Sequence, residues 1–319
     1  MLPTTTIGSF PLSPTAENFR RALLDQVMCN ITFPALPQLK DFCMLFLEEF
    51  SRNKCGIEVV GDTAWLVSSI KTPRVSGVVH QLHEAIEVLK KVRGEVSLKV
   101  QVTGPLTLAS VTKVTDKMVA LSYESVVEEF IDAVTGIVDQ LSEPREVKVV
   151  FIDEPSLPYA SFMGVEEDLL IKAISKPLSK AAAKGKLVGV HVCGDIRGFA
   201  SILLQTSAKI LHHEFKGFPR NLAAYSRRDL ESYDKLLGLG CVQTVPKNGD
   251  IEVESVDEVV GFIKHAGEVF GFERLFLAPD CGFKGFRQAF GSEDEAQRTA
   301  VLKMRLMSEA AELVRTTIL

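Results

Sequence analysis

An alternation of two periodicities narrows the possible folds more than any other feature of this chain. Eight short apolar or β-branched runs, at residues 4–10, 57–64, 96–103, 147–153, 187–193, 209–215, 236–244 and 275–281, are separated mostly by stretches with helical spacing, such as 82–92, 118–141, 167–183 and 256–268. Strands that alternate with helices bury both faces of a parallel sheet, and eight such units favour a closed α/β architecture, the (β/α)8 TIM barrel, over an open doubly wound sheet. No Gly-x-Gly-x-x-Gly follows the first run and no Gly-x-x-x-x-Gly-Lys-Ser/Thr occurs, so the loops that cradle nucleotide phosphates are missing. With no linker, repeat or low-complexity tract to divide its 319 residues, the chain reads as one barrel domain over 1–319.

In such barrels the C-terminal strand ends carry the active site. Polar residues with chemical potential gather at those ends: Ser9, Asp62, Asp153 with Glu154, Cys193, Glu214 and Cys281. The long stretch 11–54 predicts two helices joined near 31–37, where Pro34 and Pro37 suit a packed connection.

His191 and Cys193 lie two residues apart at the end of the fifth run, and alternate strand residues share a face. One imidazole and one thiolate can therefore reach a single metal, with Cys281 of Pro-Asp-Cys-Gly brought in by the fold. Structural zinc commonly uses paired Cys-x-x-Cys knuckles, which this chain lacks, whereas catalytic zinc keeps three protein ligands and an open position. Glu214 is the natural carboxylate ligand. His212 shares its strand face and can ligate or support a ligand, while His213 and Cys241 are further rivals that residue pattern alone leaves open. Asp153 and Glu154 also fit the plain role of carboxylates that cap a following helix. Cys29, Cys43 and Cys55 sit among Leu, Phe and Met and read as small buried hydrophobes.

A net charge of −5 gives no general basic field, which argues against nucleic acid or an anionic membrane as principal partner. The start of the chain lacks a signal-like basic and apolar region, and no uninterrupted apolar stretch is long enough for a membrane span. Six scattered cysteines suit a reducing compartment, so the expected location is the cytoplasm.

Seven segments, taken in order, resemble the C-terminal catalytic half of cobalamin-independent methionine synthase, particularly its short core forms. They are Thr4-Thr-Thr-Ile-Gly-Ser-Phe-Pro11, Val102-Thr-Gly-Pro105, Ile152-Asp-Glu-Pro155, His191-Val-Cys-Gly194, Leu211-His-His-Glu-Phe215, Gly240-Cys-Val-Gln-Thr244 and Pro279-Asp-Cys-Gly282. The resemblance implies a zinc ion held by His191, Cys193, Glu214 and Cys281, which demotes His212 and Cys241. It also implies that Ile7, Gly8 and Ser9 hold the amino-acid end of homocysteine, with Asp62 and Asp153 near its ammonium. At Asp62 the longer enzymes carry Glu.

The implied reaction is S-methylation of homocysteine to methionine. A free thiol is only a few per cent thiolate at neutral pH, and zinc coordination supplies the missing ionisation. Where the long enzymes place a proton-donating histidine after strand seven, this chain has Gln243, which is no acid. A corrinoid leaves without needing a proton, so the expected donor is methylcobalamin, free or on a separate corrinoid protein. The rival readings are methylation of another thiol such as coenzyme M, and a non-catalytic paralogue that keeps the zinc site.

Overall fold

The computed structural model describes residues 2–246 and 251–318. Ten strands appear among the described residues: β1 (Ile57–Val60), β2 (Thr63–Leu66), β3 (Leu98–Thr103), β4 (Thr112–Thr115), β5 (Met118–Val119), β6 (Val147–Asp153), β7 (Leu187–Val192), β8 (Ile210–His213), β9 (Leu236–Val242) and β10 (Leu275–Pro279). Six of them form one parallel sheet in the order β10-β9-β8-β7-β6-β3.

Two further segments close this sheet through isolated parallel bridges. Thr4 pairs with Leu277 of β10, Thr5 with Phe33, Ser9 with Gln38, and Ala35 with Lys99 of β3. The rungs are ordinary backbone hydrogen bonds: Thr5 N–H to Leu277 O at 2.9 Å, Phe33 N–H to Thr4 O at 2.9 Å, and Leu36 N–H to Lys99 O at 2.9 Å. Residues 4–9 and 33–38 are thus the first and second staves of an eight-membered ring.

This corrects the expected second strand. Residues 57–64 do carry β-branched side chains, but β1 folds back on β2 as an antiparallel hairpin, which joins β4 and β5 in a separate four-stranded sheet. Asp62 lies in the exposed turn of that hairpin, not at a barrel strand end. The proline-containing stretch 31–37, expected to be a connection, instead supplies most of the second stave. The expected helix at 118–141 begins only at Glu124, because Met118–Val119 pairs with β4 and Tyr123 is extended.

The two helices expected within 11–54 form as Ala16–Met28 and Phe42–Arg52. Each starts at a side-chain cap: the Thr15 hydroxyl accepts from Asn18 N–H, and the Asp41 carboxylate accepts from Cys43 and Met44 N–H. Helices cover the outside of the sheet over one extensive apolar core. Inside the ring a second, smaller cluster of Val149, Phe151, Ile210 and Phe276 fills one end, with Phe33, Leu187 and Leu236 packed against it. No described helix is long and apolar enough to cross a membrane.

Candidate metal and substrate centre

Alternation along the strands places polar side chains above this apolar plug. On β6 the face that carries Val149 and Phe151 next carries Asp153; on β8 the face of Ile210 next carries His212. The same rule puts His191 at the end of β7, with Cys193 just beyond it. His191 Nε2 lies 3.1 Å from Cys193 Sγ and 3.6 Å from Cys281 Sγ, and the two sulfurs are 3.5 Å apart. The three donor atoms fall within 4.8 Å of one another.

Electrostatics tie the trio together. Cys281 is held well below the ordinary thiol range because its sulfur accepts from Cys193 and then from His191, despite burial. Cys193, whose thiol gives its proton to that bond, is pushed correspondingly up. Burial alone would lower His191, but the hydrogen bond and charge of Cys281 raise it. Glu214 is half-buried just past β8 and lies outside the tight trio; burial and then Cys281 raise its carboxyl.

His212 does not join the sulfurs. Its Nδ1 faces Nδ1 of His191 at 2.7 Å, and burial, with His191, His213 and Lys99 nearby, holds it well below the usual imidazole range. His213 points elsewhere, to Val192 O and the Tyr225 hydroxyl at 3.0 Å each. Cys241 is buried against Ala278 O and away from the trio.

The segment Ile7–Gly8–Ser9 packs against this centre. Phe283 N–H donates to Ser9 O at 2.9 Å, and the Ser9 hydroxyl lies so close to Gly282 that a Cβ there would fall 1.8 Å from its oxygen. From the other side, the buried ammonium of Lys99 donates to Thr6 O at 2.7 Å and Ile7 O at 3.0 Å. Gly8, at φ +122°, accommodates the Gln101 amide, whose nitrogen would sit 2.0 Å from any Cβ. Asp153 is buried, and its Oδ1 has no hydrogen-bond partner. Burial raises its carboxyl to about 6, against the opposing charges of Lys99 and His191.

Glu154 takes the structural role: its carboxylate accepts from Leu106 and Thr107 N–H at 2.8 and 2.9 Å, capping the helix Pro105–Val111. The Gln243 amide is turned into its own loop, donating to Val245 O at 2.8 Å. Four residues absent from the sequence expectations matter here. Asp280 accepts from three successive amides after Glu214, and Asn221 binds the carbonyls of Gly194 and Glu214 at 2.8 Å each. Lys99, with Gln101, carries a legible signal: polar residues at every second position of β3, aimed into a barrel.

Comparison with known proteins assigns the fold to a family. A family model described as the catalytic domain of cobalamin-independent synthase matches residues 50–312. The methionine synthase of Methanothermobacter marburgensis is 27% identical over 302 residues, covering 88% of this chain and 93% of its own. The 5-methyltetrahydropteroyltriglutamate–homocysteine methyltransferase of Nitratidesulfovibrio vulgaris is 25% identical over 322 residues, covering 89% of this chain but 39% of that longer one. Among solved structures, a B12-independent methionine synthase from Shewanella sp. W3-18-1 in complex with selenomethionine shares the fold with a TM-score of 0.70 at 18% identity, covering 99% and 98% of the two chains. The cobalamin-independent character of the matching family runs against the corrinoid donor and corrinoid partner expected from Gln243. With the match spanning most of the barrel, the chain belongs to the family of cobalamin-independent methionine synthase catalytic domains and is a methyltransferase.

Proposed function

We propose that this protein methylates the thiol of homocysteine to give methionine, at a zinc ion held by His191, Cys193, Cys281 and Glu214, with the whole 1–319 barrel acting as one catalytic unit. The observation that carries the reading is the His–Cys–Cys cluster beside the Ile7–Ser9 segment. The donor set fits zinc: one imidazole nitrogen and two sulfurs face one another, and a carboxylate stands beside them. When bound, zinc lowers the pKa of a coordinated thiol, so that the acceptor is a thiolate at neutral pH.

The protein's own groups orient the amino acid. Asp153, ionised above about pH 6, takes the α-ammonium. Ser9 and the backbone of Ile7 and Gly8 hold the amino-acid end, kept in place by Lys99. Asp62 lies in an exposed hairpin turn, off the barrel strand ends on which this arrangement is built. For the donor, the cobalamin-independent family and the methyltetrahydropteroyltriglutamate in the name of the longer relative support a methyl carried on the nitrogen of a reduced pterin. A departing pterin nitrogen needs a proton, which the Gln243 amide does not supply, so that proton comes from solvent or another group.

Zinc-loaded protein is incubated with homocysteine and either a methyltetrahydropteroylglutamate or methylcobalamin, and methionine is measured by mass spectrometry. Methionine from the pterin alone supports the full reading. Methionine from methylcobalamin alone overturns the donor assignment, and none from either donor, or turnover of coenzyme M in preference, overturns the function.

A further inference from the structure

We infer that His212 is a positioning residue for the zinc site, holding His191 in the one tautomer that presents Nε2 to the metal. This rests on the zinc reading above and adds to it a residue outside the ligand set.

The two imidazoles meet through their Nδ1 atoms at 2.7 Å, with ring centres 4.8 Å apart and planes inclined by 47°. Two ring nitrogens at that separation need one N–H and one lone pair between them. His191 Nε2 faces both sulfurs, so ligation commits its lone pair and leaves the His191 proton on Nδ1. His212 Nδ1 is then the acceptor, and the His212 proton sits on its own Nε2.

That assignment explains a cost the fold carries. His212 is fully buried, and its Nε2 meets only the Pro279 carbonyl, at a geometry short of a well-formed hydrogen bond. A buried donor so poorly satisfied is a cost that an apolar side chain of the same bulk would avoid. The neighbouring strand also makes room for this ring: at Gly238, a Cβ would fall 2.5 Å from His212 Cβ and 3.1 Å from its Cδ2. Metal-ligating histidines ordinarily give their second N–H to a carboxylate, a carbonyl or water, and losing that partner weakens metal binding about 10–100-fold. Here a neutral imidazole fills the role from inside the barrel.

The test measures zinc affinity by chelator competition on the full chain, for wild type, His212→Phe and His212→Asn. Phenylalanine keeps a ring but removes the acceptor, whereas the asparagine carbonyl restores one. The expected result is binding about 10–100-fold weaker for His212→Phe, with His212→Asn recovering most of the loss. Thermal unfolding of the zinc-free proteins reports folding separately. Nitrogen-15 spectra of zinc-loaded wild type, which need no variant, should show His191 protonated at Nδ1. Zinc on His191 Nδ1, or unimpaired binding by His212→Phe, overturns this inference alone. Wild-type protein that binds no zinc overturns the zinc reading itself.

Discussion

The carboxylate of Asp280 accepts the backbone N–H of Gly217 at 2.6 Å, and it accepts from Phe215 and Lys216 as well, at 2.9 and 3.0 Å. One side chain next to Cys281 thereby fixes the loop that follows Glu214, so two proposed ligands from different strands are registered against each other. Asp280→Ala leaves these inward-facing amides short of an acceptor. The expected outcome is a loss of about 3 kcal/mol in denaturant unfolding, together with reduced zinc retention by elemental analysis. Asp280→Asn, with one acceptor oxygen remaining, should fall between the variant and wild type.

Lys99 is sealed inside the barrel, its ammonium held to about 8 by burial against the opposing charge of Asp153. Replacing it by methionine leaves the carbonyls of Thr6 and Ile7 without their donor and removes the cation that lowers the Asp153 carboxyl. In Lys99→Met the KM for homocysteine should rise about tenfold, the equivalent of one lost hydrogen bond to a charged group. The acidic limb of kcat/KM should move to higher pH, because Asp153 then ionises later. Steady-state kinetics across the neutral range check both, and an unmoved limb separates Lys99 from Asp153.

His213 is buried as the neutral imidazole, between Val192 O and the Tyr225 hydroxyl, and burial lowers it to about 3. Its unfolded value lies near 6.5, so below that pH the unfolded chain takes up a proton that the native state refuses. The stability this group contributes is fully present above about pH 6.5 and is lost progressively as pH falls toward 3. The gap in unfolding free energy between wild type and His213→Gln should therefore be wider at neutral pH than in mild acid, as read by urea titration of metal-free protein.

Gln26 completes the closure of the ring where regular pairing is thinnest. Its carboxamide accepts from Ala35 N–H at 2.7 Å, donates to Ala35 O at 3.0 Å and accepts from the Thr6 hydroxyl at 2.8 Å. It acts as a substitute rung between the first two staves. Gln26→Ala strands both backbone groups of Ala35, at a cost of about 2–4 kcal/mol. Hydrogen exchange should show lost protection at Phe33 and Gln38 while Val150 and Val190, in the centre of the sheet, keep theirs.

His191, Cys193 and Asp153 are legible in the chain because alternation on a strand fixes which side chains share a face, and that holds whatever the partner strands are; Glu214 is preferred to His212 only through the family resemblance, and it lies outside the His–Cys–Cys trio. The second stave is not legible for the opposite reason. Pro34 and Pro37 remove two ladder donors, so 33–38 pairs through single bridges and lacks the run of β-branched residues that marks a strand. The run Ile57–Leu66 has those residues and uses them in a hairpin, since periodicity alone does not say which sheet a strand joins. Asp62 is misplaced with it. Asp280 and Asn221 escape notice because they act on backbone atoms of loops distant in sequence, contacts that exist only once the barrel has closed.

Phe151, Phe276 and their neighbours stopper one end of the barrel bore, while Asp153 and the His–Cys–Cys cluster occupy the other. An apolar stopper at one end leaves the polar groups to face the opposite mouth, so under the proposed reading both the thiol and its methyl carrier would have to approach from the side on which the strands end.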